Sequence, residues 1–152
     1  MPFQRDVNAV PELKGHYKSG LQALLKHDRQ HITCNNPTSL SGSVNIDSAL
    51  LPSQPNAARW DYLVGVGHAA GKEELIWIEI HPAAHIRNID EVCNKSQWLD
   101  QWIKKTPFEK GGTYEQQRIW IPTDKVIFTS RSKECKKLSE HGVKLKRGNA
   151  IL

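Results

Sequence analysis

Asp61, Glu79 and His81 occupy positions where apolar strand residues would be expected. Asp61 lies in the run Arg59-Trp60-Asp61-Tyr62-Leu63-Val64-Gly65, and Glu79 and His81 close the run Leu75-Ile76-Trp77-Ile78-Glu79-Ile80-His81. Ionised acids are seldom buried unless they are paired or bind a metal. Side chains alternate along a strand, so Asp61, Leu63 and Gly65 are predicted on one face, and Trp60, Tyr62, Val64 and Val66 on the other. By the same rule Leu75, Trp77, Glu79 and His81 oppose Ile76, Ile78 and Ile80. If the two runs pair antiparallel across the turn at 67–73, Asp61 meets Glu79 and His81 at one edge of the sheet. Two carboxylates and an imidazole suit a divalent cation. Oxygen ligands favour magnesium or manganese, and an imidazole moves the preference toward manganese or zinc. Such an ion activates water and stabilises charge on a phosphoryl group. The plainer alternative is an ion pair between Asp61 and Arg59 or a lysine, with Glu79 at an exposed strand end.

The elements that would position these residues are read from periodicity. Val10, Leu13, Tyr17, Leu21 and Leu24 recur at helical spacing and predict a first helix over 8–27, weakened by Gly15 and Gly20. Ser43 to Leu50 alternates as a first strand after the turn residues 35–39. Strands follow over 59–66 and 74–81, both nearly continuous in apolar residues, as for strands covered on both faces. Pro82 ends the third. Asn88 or Asp90 caps a second helix reaching Lys105, with Ile89, Val92, Leu99 and Ile103 on one stripe. Gly111-Gly112 separates it from a strand over 118–122, with a further extended piece at 126–129. Residues 131–140 read as a short basic helix capped by Gly142, and 143–151 as a last strand. The order αβββαβαβ predicts an α/β or α+β sandwich, a central mixed sheet of four to five strands flanked by helices.

Composition frames this as one soluble domain over residues 1–152, with 38% hydrophobic and 24% charged residues. No apolar run has the roughly 20 residues of a membrane span, and the N-terminus lacks a signal-peptide core, so a cytoplasmic address is expected. Cys34, Cys93 and Cys135 read as reduced thiols. The net charge of +5 is uneven: residues 1–130 carry acids and bases in equal number. The excess lies in Arg131, Lys133, Lys136, Lys137, Lys144, Lys146 and Arg147, against Glu134 and Glu140. Such a segment is a candidate nucleic-acid surface, or a solvated helix and edge strand. His68, His81 and His85 form a weak zinc motif, and the five tryptophans read as core before they read as a stacking platform for bases.

The element order, with Asp61 on the second strand and Glu79-Ile80-His81 on the third, resembles the PD-(D/E)xK nucleases of restriction-endonuclease-like fold, over roughly residues 8–123. The resemblance implies that Asp61 and Glu79 bind a metal, with the Ile80 carbonyl as a further ligand. Glu12 is the candidate for an acid that some members recruit from the first helix. Trp60 stands at the motif's proline, and His81 at the lysine that orients the attacking water. Histidine can act as a base near neutral pH. Some members carry the lysine on the following helix, where Lys95 is the candidate. Two functions are therefore expected: metal-dependent phosphodiester hydrolysis of nucleic acid with magnesium or manganese, or a catalytically inactive nuclease-fold module that binds nucleic acid or a protein partner.

Overall fold

A computed structural model describes residues 2–109, 112–129 and 131–152. The two nearly continuous apolar runs build its centre. β2 (Leu40–Asn45), β3 (Tyr62–Gly67) and β4 (Glu73–His81) form an antiparallel meander, and β5 (Glu115–Pro122) and β6 (Val143–Leu145) add parallel to β4. The five strands lie in the order β2-β3-β4-β5-β6. The parallel steps need crossovers, which α4 (Arg87–Ile103) and α5 (Lys133–Glu140) supply. The mixed five-stranded sheet flanked by helices agrees with the expected class. No helix among the described residues is long and apolar enough to cross a membrane.

Each face of the sheet buries its own core. Leu63, Leu75, Trp77 and Trp120 pack against α4 through Ile89, Val92, Leu99 and Ile103, and against α1 (Pro2–Ala9) through Phe3 and Val7. Tyr62, Val64, Val66, Ile76, Ile78, Ile119 and Ile121 form the opposite core with Leu24, Ile32 and Ala150. Coverage on both faces accounts for the nearly continuous apolar runs in β3 and β4.

The element order is longer than expected, because α2 (Lys26–Arg29), β1 (Ile32–Thr33), α3 (Ile46–Leu50) and β7 (Ala150–Ile151) interrupt the eight predicted elements. The helix expected over 8–27 is absent. α1 stops at Ala9, Pro11–Leu13 makes a single 3₁₀ turn, and Gly15 and Gly20 adopt left-handed conformations (φ 85° and 54°) that end any helical run. The strand expected at 43–50 begins earlier and ends at Asn45, whose side chain accepts the Ser48 N–H and caps α3. No strand forms at 126–129. The final strand divides at Gly148 (φ 79°) into β6 and β7, and β7 pairs parallel with β1. Of the predicted Gly111-Gly112 break, Gly111 lies outside the described residues.

Candidate functional site

The β3–β4 hairpin brings the two strand acids together. Tyr62 pairs with Ile78, so Asp61 lies opposite Glu79 one step beyond the last ladder pair. There the side chains take over from the backbone. The Asp61 N–H donates to Glu79 Oε2 at 3.2 Å, and the Ile80 N–H donates to Asp61 Oδ2 at 2.9 Å. The Asp61 carbonyl in turn accepts the N–H groups of Ile46 and Asp47 at the start of α3. Trp60 departs from the strand-face expectation: the chain bends at Asp61 before the strand begins at Tyr62, and the Trp60 indole joins Leu63 and Trp77 in the helix-side core.

Glu79 is 1% exposed and Asp61 half-buried. Of the plainer alternative, the Arg59 pairing and the exposed Glu79 do not hold, because Arg59 pairs with Asp47 at 3.0 Å and Glu79 is enclosed, whereas a lysine, Lys95, does act on Asp61. The cation on Glu79 comes from α4. Lys95 flanks Val92 and Leu99 at the edge of the buried stripe, and its Nζ donates to Glu79 Oε1. Trp60 Nε1 donates to the Lys95 carbonyl at 2.9 Å, which pins that turn of the helix to the strand. Burial, and then the negative charge of Asp61, push the Glu79 carboxyl up to about 8 against the pull of Lys95. Burial also raises Asp61, opposed by the Ile80 N–H and by Lys95.

His81 is turned partly away. Its Nε2 lies 2.5 Å from Glu91 Oε2, and its Nδ1 lies 3.7 Å from Glu79 Oε1. Asn88 Nδ2 also donates to Glu91, and the two partners, His81 first, hold that carboxyl below its usual range. Trp120 Nε1 fixes the His81 carbonyl at 2.9 Å. Glu91 was not singled out from the sequence, yet Asn88, Glu91 and Lys95 recur at i, i+3 and i+7, and that helical spacing is the signal that could have found it.

The remaining candidates lie elsewhere. Glu12 accepts from Ser53 Oγ, from Gln54 Nε2 at 3.2 Å and from Trp102 Nε1 at 3.3 Å, two turns of α4 beyond Lys95. His68 bonds Glu74, and His85 is exposed, so the imidazoles do not gather. Lys133, Lys136, Lys144, Lys146 and Arg147 are exposed on α5 and the strand edge beyond it, whereas Lys137 is paired with Asp90.

Among the described residues no three His, Cys, Asp or Glu side chains group so as to hold an ion. An ion at this site would therefore rest on Asp61 and Glu79, completed by a backbone carbonyl and water. Magnesium commonly takes one or two carboxylates and keeps several waters. The donor set fits this pattern: Asp61 Oδ1 accepts no hydrogen bond among the described residues, beside a carboxylate that carries one hydrogen bond on each oxygen. No family model, curated protein or solved structure matches the chain.

Proposed function

We propose that the protein is a metal-dependent phosphodiesterase of nuclease type, acting on nucleic acid, with Asp61 and Glu79 as oxygen ligands and Lys95 as the ammonium beside them. The observation that carries this reading is the meeting of Asp61, Glu79 and Lys95 at one edge of the β3–β4 hairpin. The lysine missing from the Glu-x-Lys position is supplied from α4, as the resemblance to PD-(D/E)xK nucleases allows. The meander followed by a helix and a parallel strand also supports that resemblance.

The chain's own groups have defined parts. Asp61 and Glu79 present carboxylate oxygens held by backbone N–H groups, and a cation bound there would displace the proton of Glu79 and draw Lys95 Nζ off Oε1. Lys95 holds Glu79 and offers further N–H donors to an anionic phosphate oxygen or to the attacking water. Glu91 orients His81, whose Nδ1 faces Glu79. A bound magnesium or manganese ion would supply Lewis-acid stabilisation of the phosphoryl oxygens.

A second reading draws on one observation: Asp61 Oδ2 and Glu79 Oε2 already serve backbone N–H groups where the ladder ends. On that reading the acids finish the hairpin, and the fold is a binding module without cleavage. Metal titration separates the two. Manganese or calcium should raise the melting temperature of the parent, and Asp61→Asn or Glu79→Gln should abolish the rise. With manganese, the parent should cut plasmid or single-stranded DNA, and Lys95→Met should lower the rate by roughly 10²-fold or more, the scale of one lost electrostatic donor. Absence of both the thermal shift and cleavage would rule out the enzyme and leave the binding module.

A further inference from the structure

Two of the five tryptophans lie at the margin of the core, packed against it but part exposed. Trp60, Trp77 and Trp120 are fully buried, whereas Trp98 and Trp102 are half-buried on α4 and line a cleft of about 390 Å³. Val10, Pro11, Glu12 and Gln54 line the same cleft, and so does the exposed Lys105. The two indoles are stacked, with centroids 5.8 Å apart and planes 15° apart. Trp77 meets Trp102 edge-on at 6.2 Å and anchors the pair to the core.

The polar edge of the stack is fixed as well. Trp98 Nε1 donates to Gln54 Oε1 at 3.1 Å, and Trp102 Nε1 donates to Glu12 Oε1. Burial works against the Glu12 charge, but hydrogen bonds from Ser53, Gln54 and Trp102 outweigh it and keep the carboxylate ionised. An ionised carboxylate is an acceptor only, so it selects a ligand edge that carries N–H donors. A cage for a quaternary ammonium sets aromatic rings around a hole, whereas parallel indoles form a stack that another planar ring can extend. A nucleobase with an exocyclic amino group meets both conditions. The exposed Lys105 complements the phosphate that such a base carries.

The cleft also lies along the helix that carries Lys95. Trp98 and Trp102 follow it by three and seven residues, roughly 5 to 10 Å along the axis. We propose that this cleft is a nucleobase-stacking subsite for a single strand whose backbone runs past Asp61 and Glu79. The subsite rests on the reading of that site as a nucleic-acid site, and it makes single-stranded or locally opened nucleic acid the substrate class. Stacking itself tolerates every base, and Glu12 adds a preference for bases that carry an amino group over thymine or uracil.

The test compares two fluorescently labelled oligonucleotides of equal length at one salt concentration by anisotropy: an ordinary single strand and an abasic strand with the same phosphates. The ordinary strand should bind about tenfold or more tightly, the scale of stacking one base on an aromatic side chain. Trp98→Ala should bring it down to the abasic level, and Trp98→Phe should restore part of the difference. Asp61→Asn should leave the difference intact while removing the metal response, so the two readings fail separately. The comparison on the parent protein needs no variant to fold. Equal binding of the two strands, binding of neither, or occupation of the cleft by tetramethylammonium in place of the strand would overturn the proposal.

Discussion

At the scale of single residues, burial and the nearby charge of Asp61 make the Glu79 carboxyl harder to ionise than a free glutamate. Its carboxyl is pushed from 4.5 up to about 8 by burial and by Asp61, against Lys95. Between those values the folded state binds a proton that the unfolded state does not, so stability falls as pH rises. The contribution is fully present below about 4.5 and is lost as pH passes through 8. Asp61 shifts in the same direction. Without metal, the urea midpoint of the parent should therefore fall between pH 5 and 8.5. Glu79→Gln, which has no charge to lose, should flatten that fall, while its amide nitrogen leaves one of the two donors on Glu79 without an acceptor and lowers the midpoint at low pH. A variant profile as steep as the parent's would assign the dependence to other groups. The pair itself was legible in the sequence, because strand period and a short turn are enough to oppose Asp61 and Glu79. Lys95 was legible only through resemblance. Its link to Glu79 depends on how α4 is rotated over the sheet, which Trp60 and the Lys95 carbonyl help to set.

At the level of elements, α1 seats the helix-side core by approaching β3 where that strand has no side chain. A Cβ on Gly65 would stand 2.7 Å from Cγ of Phe3, which is fully buried. The helix is tied down around that contact: the Phe3 N–H donates to Glu73 at 2.9 Å, Ser41 donates to the other Glu73 oxygen, and Tyr114 donates to Asp6 at 2.6 Å. Gly65→Ala should therefore push Phe3 out and destabilise the protein by about 1 to 3 kcal/mol, the usual penalty for overpacking. Urea unfolding would show this as a lower midpoint with little change in slope. Unchanged stability would mean that α1 can shift freely. β3, β4, β5 and the body of α4 could be read from the sequence through their apolar periodicity, but α4 starts at Arg87, ahead of the expected caps, and Asn88 accepts the His85 N–H from inside the helix. The first forty residues could not be read. There the apolar spacing of Val10 to Leu24 comes from a chain wrapped over two faces of the sheet, with Leu13 in one core and Leu24 in the other. Asn45 misled for a different reason: alternation continues through a residue that caps the next helix.

Across the whole molecule, charge is distributed along one edge. α5 packs beside α4, and β6 ends the sheet, so the exposed Lys133, Lys136, Lys144, Lys146 and Arg147 belong to the side of the protein that carries the last crossover. The segment joins the α4 side at Lys137, which pairs with Asp90 next to Glu91, the partner of His81. On the proposed function, a strand crossing the Asp61–Glu79 site would meet positive charge near the N-terminal end of α4, with Trp98 in the C-terminal half of that helix and Lys105 just past its end. Phosphate contacts release counterions, and each contact contributes about 0.7 to the slope of log affinity against log salt for single strands. Replacing Lys133, Lys136, Lys144 and Lys146 by alanine should lower that slope by up to about 2.8 if all four touch phosphate, and should weaken ordinary and abasic strands alike. Lys137→Ala should barely change the slope, because Asp90 already neutralises that lysine. Anisotropy titrations from low to moderate salt would measure both variants. An unchanged slope in the fourfold variant would make these lysines a solvated guard on the sheet edge, where charge discourages pairing with another strand.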